Sequence, residues 1–239
     1  MVRHTAIILA AGRGSRMHSD TPKQFLLLAD RPVLCYSLQV FQESFVDEII
    51  LVTGEGQEEY CREKIVGKYG FSKVTQIIRG GKERYDSVYR GLCASEGCDY
   101  VYIHDGARPF LDADILERAR QCVEECGACA AGMPVKDTIR VVDEHKCSVS
   151  TPDRNHVWQM QTPQVFSYTL IRNAYDRLFA GGDMQGVTDD AMVAERMLSR
   201  PVRLFEGSYR NIKITTPEDI LTAGILLKPQ NKITSPPAN

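Results

Sequence analysis

The chain has 239 residues, with 29 lysines and arginines against 31 aspartates and glutamates and a formal net charge of −2. It is long enough to bury a core without covalent staples, and its near-neutral balance excludes a global basic field of the kind that holds nucleic acid or a membrane surface. Eight cysteines are scattered rather than set in a short disulfide framework, the apolar run after Arg3 is too short for a secretory leader and no run reaches membrane-spanning length, so the expected setting is a reducing cytoplasm.

Residues 5–11 are apolar enough for a buried parallel strand, and they run into a glycine loop, Gly12-Arg13-Gly14-Ser15-Arg16, with Pro22-Lys23-Gln24 soon after. Strands are then expected at 48–53, 74–78, 100–104 and 128–135, and helices between them at 33–42, 58–69, 84–94 and 112–126. This alternation gives an α/β fold whose mainly parallel sheet is covered by helices on both faces. Residues 137–160 break the rhythm. There, short apolar runs at 139–142 and 148–151 flank the polar turn Asp143-Glu144-His145-Lys146, as in a hairpin with nothing to cover it, and the segment is expected to project as a β-arm. Helices return at 168–179 and 189–198, a strand at 202–205, and Thr216-Pro217-Glu218-Asp219 opens a last helix with a cap residue, a proline in the first turn and acids at its positive end. One domain spanning 1–227 is expected, with a disordered polar tail at 228–239 and no internal repeat.

Three segments carry the chemistry. The glycine loop after the first strand lets backbone N–H groups approach phosphates. It has Met17 where a dinucleotide fingerprint has its third glycine, and it lacks the Gly-Lys-Ser/Thr ending of a P-loop, so alone it is equally a tight structural turn. Arg16 and Lys23 add two cations where phosphate charge would sit. Asp105, leaving the strand at 100–104 in His104-Asp105-Gly106-Ala107-Arg108-Pro109, is a carboxylate at the edge where parallel sheets bind ligands, placed to hold Mg²⁺. Together they read as a nucleoside triphosphate site for chemistry at phosphorus, in which fixed cations neutralise charge growing on the transferred phosphoryl group. A second turn, Gly80-Gly81, precedes Glu83, Arg84 and Ser87; it is either a plain strand-to-helix connection or a place where a base meets backbone at Gly81 with help from Ser87. Cys122, Cys126 and Cys129 have the spacing of an iron–sulfur motif, but Ile115, Ala119, Cys122 and Cys126 share one apolar helical face, so these thiols read as core. His104 is read as structural, because a phosphate monoester is already anionic and needs little general-base help.

The motifs Ala10-Ala11-Gly12-x-Gly14-x-Arg16, Pro22-Lys23-Gln24, Gly80-Gly81-x-x-Arg84-x-x-Ser87-Val88, His104-Asp105-x-Ala107-Arg108-Pro109, Pro134-Val135-x-Asp137-Thr138, Asp153-Arg154, Thr162-Pro163-Gln164, Thr188-Asp189 and Asn211-Ile212-Lys213 occur in that order. In this the chain resembles the 2-C-methyl-D-erythritol 4-phosphate cytidylyltransferases of the non-mevalonate isoprenoid pathway, from Ala6 to about Ala223. The resemblance implies a Rossmann-like core, a homodimer formed through the β-arm, CTP and a sugar-alcohol phosphate as substrates, Mg²⁺ or another divalent cation, and pyrophosphate as product. It implies that Arg16 and Lys23 meet the triphosphate and Lys213 the α-phosphate. Ala10, Ala11, Gly12, Gly14, Ser15, Gly81 and Ser87 match nucleotide-binding positions. Asp105 matches a metal- and substrate-binding position, with Arg108 close to it. Thr138 and Arg154 match arm residues that hold the acceptor from the neighbouring subunit, and Thr162 and Thr188 match near-side contacts. Leu9 stands where many relatives have proline, and Lys82 where an acidic or small residue is common.

Each of these residues also has an ordinary reading. Arg154 after Asp153 is a surface ion pair in outline, and Lys213 between Ile212 and Ile214 is an edge lysine on a short strand. Ribitol 5-phosphate cytidylyltransferases share the nucleotide half, and Ala107 with the Thr188-Asp189-Asp190 stretch favours methylerythritol over them. Sugar 1-phosphate nucleotidyltransferases keep the glycine loop but not the segments at Thr162 and Asn211. A non-catalytic CTP-binding relative would not need Arg16, Lys23, Asp105 and Lys213 together.

Overall fold

The computed structural model describes residues 2–12, 14–17, 19 and 21–228. Strand β1 (His4–Ala10) is buried on both faces, with Ala6, Ile8 and Ala10 turned to one core and Ile7 to the other, and so it sits in the middle of the sheet. The chain continues through a small ribbon, β2 (Leu27–Leu28) and β3 (Arg31–Pro32), then α1 (Val33–Glu43), β4 (Glu48–Thr53), α2 (Glu58–Tyr60), β5 (Val74–Arg79), α3 (Arg84–Ala94), β6 (Tyr100–Asp105), α4 (Ala113–Cys126) and β7 (Ala128–Pro134). After it come β8 (Val141–Val142), β9 (Ser148–Ser150), β10 (Trp158–Ser167), α5 (Tyr168–Phe179), α6 (Asp190–Leu198), β11 (Arg203–Glu206) and α7 (Pro217–Leu227).

The main sheet has seven strands in the order β11-β7-β10-β6-β1-β4-β5. All neighbours are parallel except β10, which runs antiparallel to both β6 and β7. One apolar cluster packs α1 and α4 against one face, around Leu34, Leu38, Phe41 and Ile115, and a second packs α3, α5 and α6 against the other, around Leu92, Ile171, Tyr175 and Val193. The expected α/β sandwich is the one observed. The chain steps from β1 outward to β4 and β5, then returns to β6 on the other side of β1, which creates a topological switch point between β1 and β6.

Four expectations need correction. β10 was not anticipated as a strand: its middle, Gln161-Thr162-Pro163-Gln164, is polar and carries a proline, yet it is buried. The helix expected at 58–69 is helical throughout that range, but between its α-helical ends it runs in π turns over Cys61–Gly67. The stretch 211–215 forms no strand; it is an irregular segment tied down by Ile214 N–H donating to Ala107 O at 2.8 Å. The hairpin β8–β9 exists but is shorter than its apolar runs, with Asp143 Oδ1 accepting from the N–H groups of His145 and Cys147 to close the turn. Val141, Val142 and Val149 on it are exposed. The expected loose tail falls, beyond Lys228, outside the described residues.

Cys122 and Cys126 lie one turn apart on α4 with sulfurs 4.0 Å apart, and Cys129 is buried in β7. Burial pushes the thiols of Cys122 and Cys129 up, away from the thiolate that ligates metals. Among the described residues, no group of three His, Cys, Asp or Glu side chains is placed to hold a metal ion, and no helix is long and apolar enough to cross a membrane.

Candidate active site

Leu9 of β1 pairs in register with Asp105 of β6. Because the chain leaves these two strands in opposite directions, a crevice opens outside their carboxyl ends, the place where open α/β sheets bind ligands. The crevice is lined by Ala10 at the end of β1 and Ala11 and Gly12 after it, by Lys23, by the turn from Gly81 to Arg84 with Ser87 of α3, and by Asp105, Ala107 and Lys213. Sequence segments far apart in the chain thus meet in one cleft, three of its cations being Lys23, Arg84 and Lys213.

Lys23 is aimed by its neighbours. Pro22 starts a single 3₁₀ turn over Lys23–Phe25, and the buried Gln24 donates its amide to Ala10 O at 2.6 Å, fastening that turn to the end of β1. Gly14, with φ of +66°, lies against the stem of Lys23: a Cβ there would stand 3.3 Å from Lys23 Cγ. Burial, then the like charges of Lys213 and Arg16, lowers the Lys23 ammonium to a pKa of about 8. Cations crowded together in this way form a site suited to an anion.

Asp105 is the centre of the acidic side. Lys213 Nζ donates to Asp105 Oδ2 at 2.6 Å, and Arg84 Nε donates to Oδ1 at 3.3 Å. Burial opposes the carboxylate charge, but Arg84, Lys213 and Arg108 outweigh it and hold the group well below the usual carboxylate range. Arg84 also forks onto Asp190, Nη1 to Oδ1 at 2.9 Å and Nη2 to Oδ2 at 2.8 Å. The Asp190 side chain is fully buried, so removing Arg84 would strand a charge there at a cost of about 3–5 kcal/mol.

Support for Asp105 comes from β10 and from the segment at Asn211. Thr162 Oγ1 accepts the Asp105 N–H at 3.1 Å and lies 3.0 Å from His104 Nδ1. Arg108 Nη1 donates to Asn211 O at 2.7 Å, and Asn211 Nδ2 donates to Thr162 O at 2.9 Å. Thr162 and Arg108 are 4% and 9% exposed; neither lines the cleft, and both stand behind Asp105. His104 is buried, which lowers its pKa to about 4, so it is neutral at physiological pH and serves as a structural hydrogen-bonding ring.

The Gly80-Gly81 turn is tight and lies at the cleft. A Cβ on Gly81 would lie 2.1 Å from Asp86 Cβ, and one on Gly80 would lie 2.6 Å from Ala11 Cβ, so the turn brings backbone against the loop after β1. Gly81 N–H donates to Ser87 Oγ at 3.0 Å, while Glu83 and Asp86 close a capping box on α3. The Gly81 N–H is therefore spent within the protein.

The remaining expected residues lie outside the cleft lining. Ser15 and Arg16 belong to the 3₁₀ turn Ser15–Met17 beside it, with Arg16 exposed. Thr138 and Arg154 sit exposed on the arm, where Arg154 Nη1 donates to Lys136 O at 3.4 Å and Asp153 caps its own turn by accepting from Asn155 N–H. Thr188 is exposed before α6. Sequence reasoning assigned no role to Gln24, Arg84, Gln164 or Asp190. All four lie in or beside the quoted motifs, but only their contacts reveal what they hold.

The chain matches, over residues 4–229, the family described as IspD: 2-C-methyl-D-erythritol 4-phosphate cytidylyltransferase. A protein of that name from Lachnospira eligens is 52% identical over 226 residues, covering 94% of this chain and 99% of that protein, and one from Alkaliphilus oremlandii is 46% identical, covering 94% of each. Among solved structures, the 4-diphosphocytidyl-2C-methyl-D-erythritol synthase of Anaerococcus prevotii superposes with a TM-score of 0.82 at 32% identity, covering 95% of this chain and 96% of that one. The 2-C-methyl-D-erythritol 4-phosphate cytidylyltransferase of Thermus thermophilus superposes with a TM-score of 0.76 at 29% identity, covering 95% and 98%.

Proposed function

The chain belongs to the IspD family of 2-C-methyl-D-erythritol 4-phosphate cytidylyltransferases, nucleotidyltransferases of the non-mevalonate isoprenoid pathway, and we propose how its own residues carry out that transfer. The observation that carries the reading is the convergence of Lys23, Asp105 and Lys213, from three distant segments, at the crevice between β1 and β6. A phosphate oxygen of methylerythritol 4-phosphate attacks the α-phosphorus of CTP in line, the bond to the bridging oxygen of the leaving group breaks, and pyrophosphate departs. The products are 4-diphosphocytidyl-2-C-methyl-D-erythritol and pyrophosphate.

Lys23, with Arg16 beside it, takes the triphosphate and the charge that grows on pyrophosphate. Lys213 spends one of its three N–H donors on Asp105 and has two for the α-phosphate and the incoming phosphate. These donors are in place before substrate arrives, so catalysis rests on positioning and electrostatic preorganisation. The base lies against Ala10, Ala11 and the Gly80-Gly81 turn beside Ser87. The Gly81 carbonyl accepts a hydrogen bond from the amino group of cytosine and has nothing to accept from the corresponding carbonyl of uracil.

The donor set fits a divalent cation that comes with the nucleotide. The carboxylates lining the cleft are Asp105 and Glu83, and Glu83 is committed to the cap of α3. One carboxylate with the rest of the shell from phosphate oxygens and water is a usual arrangement for Mg²⁺, so Asp105 would hold it. When bound, the cation would supply neutralisation of phosphate charge.

For the acceptor we assign Asp105 and Thr188 on the near side, with Arg108 and Thr162 fixing Asp105 from behind. Thr138 and Arg154 come from the arm of a second copy. The exposed Val141, Val142 and Val149 on a hairpin give that arm an apolar surface suited to a dimer contact. The test is pyrophosphate release with CTP and each of methylerythritol 4-phosphate, ribitol 5-phosphate and erythritol 4-phosphate. Preference for methylerythritol phosphate is expected, and a preference for ribitol phosphate would overturn the acceptor assignment.

A further inference from the structure

The geometry points to Asp190 and Tyr175 as positioning residues for the transfer, which hold the Arg84 guanidinium so that its Nε–H is turned to Asp105. The inference rests on the roles given above to Asp105 and Lys213. Arg84 lines the cleft and looks, by charge, like a third phosphate ligand. Its hydrogen-bond partners, however, are two carboxylates. Each Nη gives one of its two N–H donors to Asp190, at 2.9 and 2.8 Å, which fixes the plane of the guanidinium, and Nε is the donor turned to Asp105. A guanidinium is a rigid planar fork, so fixing two of its edges fixes the third.

Asp190 is in turn immobilised. Its side chain is fully buried, and Tyr175 Oη, also buried, donates to Oδ1 at 2.6 Å. The backbone N–H groups of Asp190 and Ala191 both donate to Gln164 Oε1 at 2.9 Å, which pins the start of α6 to β10. The same strand carries Thr162, which accepts the Asp105 backbone N–H. Strand β10 thus grips Asp105 twice, at its backbone through Thr162 and at its carboxylate through Gln164, Asp190 and Arg84. The charges along the second route alternate in sign from Asp190 to Arg84 to Asp105 to Lys213. When the Lys213 ammonium turns to phosphate, Asp105 still has Arg84 and keeps its orientation.

The test compares Asp190→Asn, Tyr175→Phe and Arg84→Lys by steady-state kinetics and by NMR of the arginine side chains. Asparagine keeps the shape of Asp190 but not its charge, and lysine keeps the charge of Arg84 but not its fork. Asp190→Asn and Arg84→Lys are each expected to lower kcat by about tenfold or more while KM for CTP stays within about threefold. The double variant should be no worse than the weaker single one, since both cut the same link. Tyr175→Phe should give a smaller loss of the same kind. In the free wild-type protein the Arg84 Nη groups should rotate slowly and give resolved signals, which Asp190→Asn should collapse.

If folded Asp190→Asn keeps wild-type kcat, or if Arg84→Lys raises KM for CTP and spares kcat, Arg84 is a phosphate ligand or Asp190 a merely structural acid, and the proposal fails. Should Asp190→Asn not fold, Arg84→Lys, which keeps a balancing cation, and Tyr175→Phe, which keeps the Arg84 fork, read the same link with the buried carboxylate still in place. If the wild-type protein releases no pyrophosphate from CTP and methylerythritol phosphate, the reaction assignment fails instead. The NMR signature then still decides the hold, and a freely rotating Arg84 in the wild-type protein overturns it.

Discussion

Binding of CTP should draw a proton onto Lys23. In the free protein its ammonium has been lowered from 10.5 to about 8 by burial and by Lys213 and Arg16. A polyphosphate brings the counter-charge that reverses the last two causes, so the pKa rises on binding. The sign follows: the charged form binds, and it predominates below pH 8 and is progressively lost above it. At pH 8 about half the free protein lacks the proton, so roughly half a proton is taken up per CTP; by pH 9 only about one in eleven free molecules carries it, and affinity is about tenfold weaker than at pH 7. Phosphate's own last ionisation lies near pH 6, below this window. Calorimetric titration of CTP at fixed Mg²⁺, in buffers of different ionisation heat, measures the uptake directly. Lys23→Arg, which stays charged throughout, should abolish the uptake and flatten the pH dependence of affinity to under about twofold. Zero uptake at pH 8 in the wild-type protein, or the same pH dependence in Lys23→Arg, would refute the idea that crowded cations depress this lysine.

Lys213→Ala should lower kcat by on the order of a hundredfold, as loss of a preorganised donor does, with a melting temperature close to wild type because Asp105 retains Arg84; early melting would mark the lysine as structural. CTP should be turned over far better than UTP, and equal rates in single-turnover assays would remove the Gly81 carbonyl as the group that reads the base. Chelation by EDTA should stop turnover and added Mg²⁺ should restore it, while CTP-independent melting stays unchanged. Mixing inactive Lys23→Ala and inactive Arg154→Ala chains should return roughly a quarter of normal activity, because about half the dimers formed at random are mixed and each holds one intact site; no recovery after demonstrated subunit exchange would place Arg154 in its own chain's site.

Where local pattern and global position agree, the sequence is easily read. α3 begins at Arg84 and ends at Ala94 as its periodicity and its Glu83 cap demand, and α5 spans Tyr168–Phe179 for the same reason. The run from His4 to Ala10 is apolar on both faces and can be satisfied only at the centre of a covered sheet. Motif order likewise brought Lys23, Asp105 and Lys213 into one reading. Their mutual geometry is another matter. Lys213 was legible as a cation but not as the partner of Asp105, because 108 positions separate them in the chain and nothing local encodes their 2.6 Å contact.

The misreading of β10 shows what escapes such patterns. A strand is recognised by apolar or alternating side chains, and β10 has Gln161, Thr162 and Gln164 buried in its middle. These side chains are inside because each has a specific polar partner: Gln161 Nε2 donates to Ser208 O at 2.8 Å, Thr162 accepts from Asp105 N–H, and Gln164 accepts from the start of α6. A buried polar group is tolerated only when it is satisfied, so a strand of this composition is stable only in the presence of the segments it braces. Alone it resembles a loop. The departure from the strand pattern and the support of the cleft are therefore one fact: the residues that make β10 unreadable are those that tie Asp105, α6 and the approach to Lys213 to a common backbone.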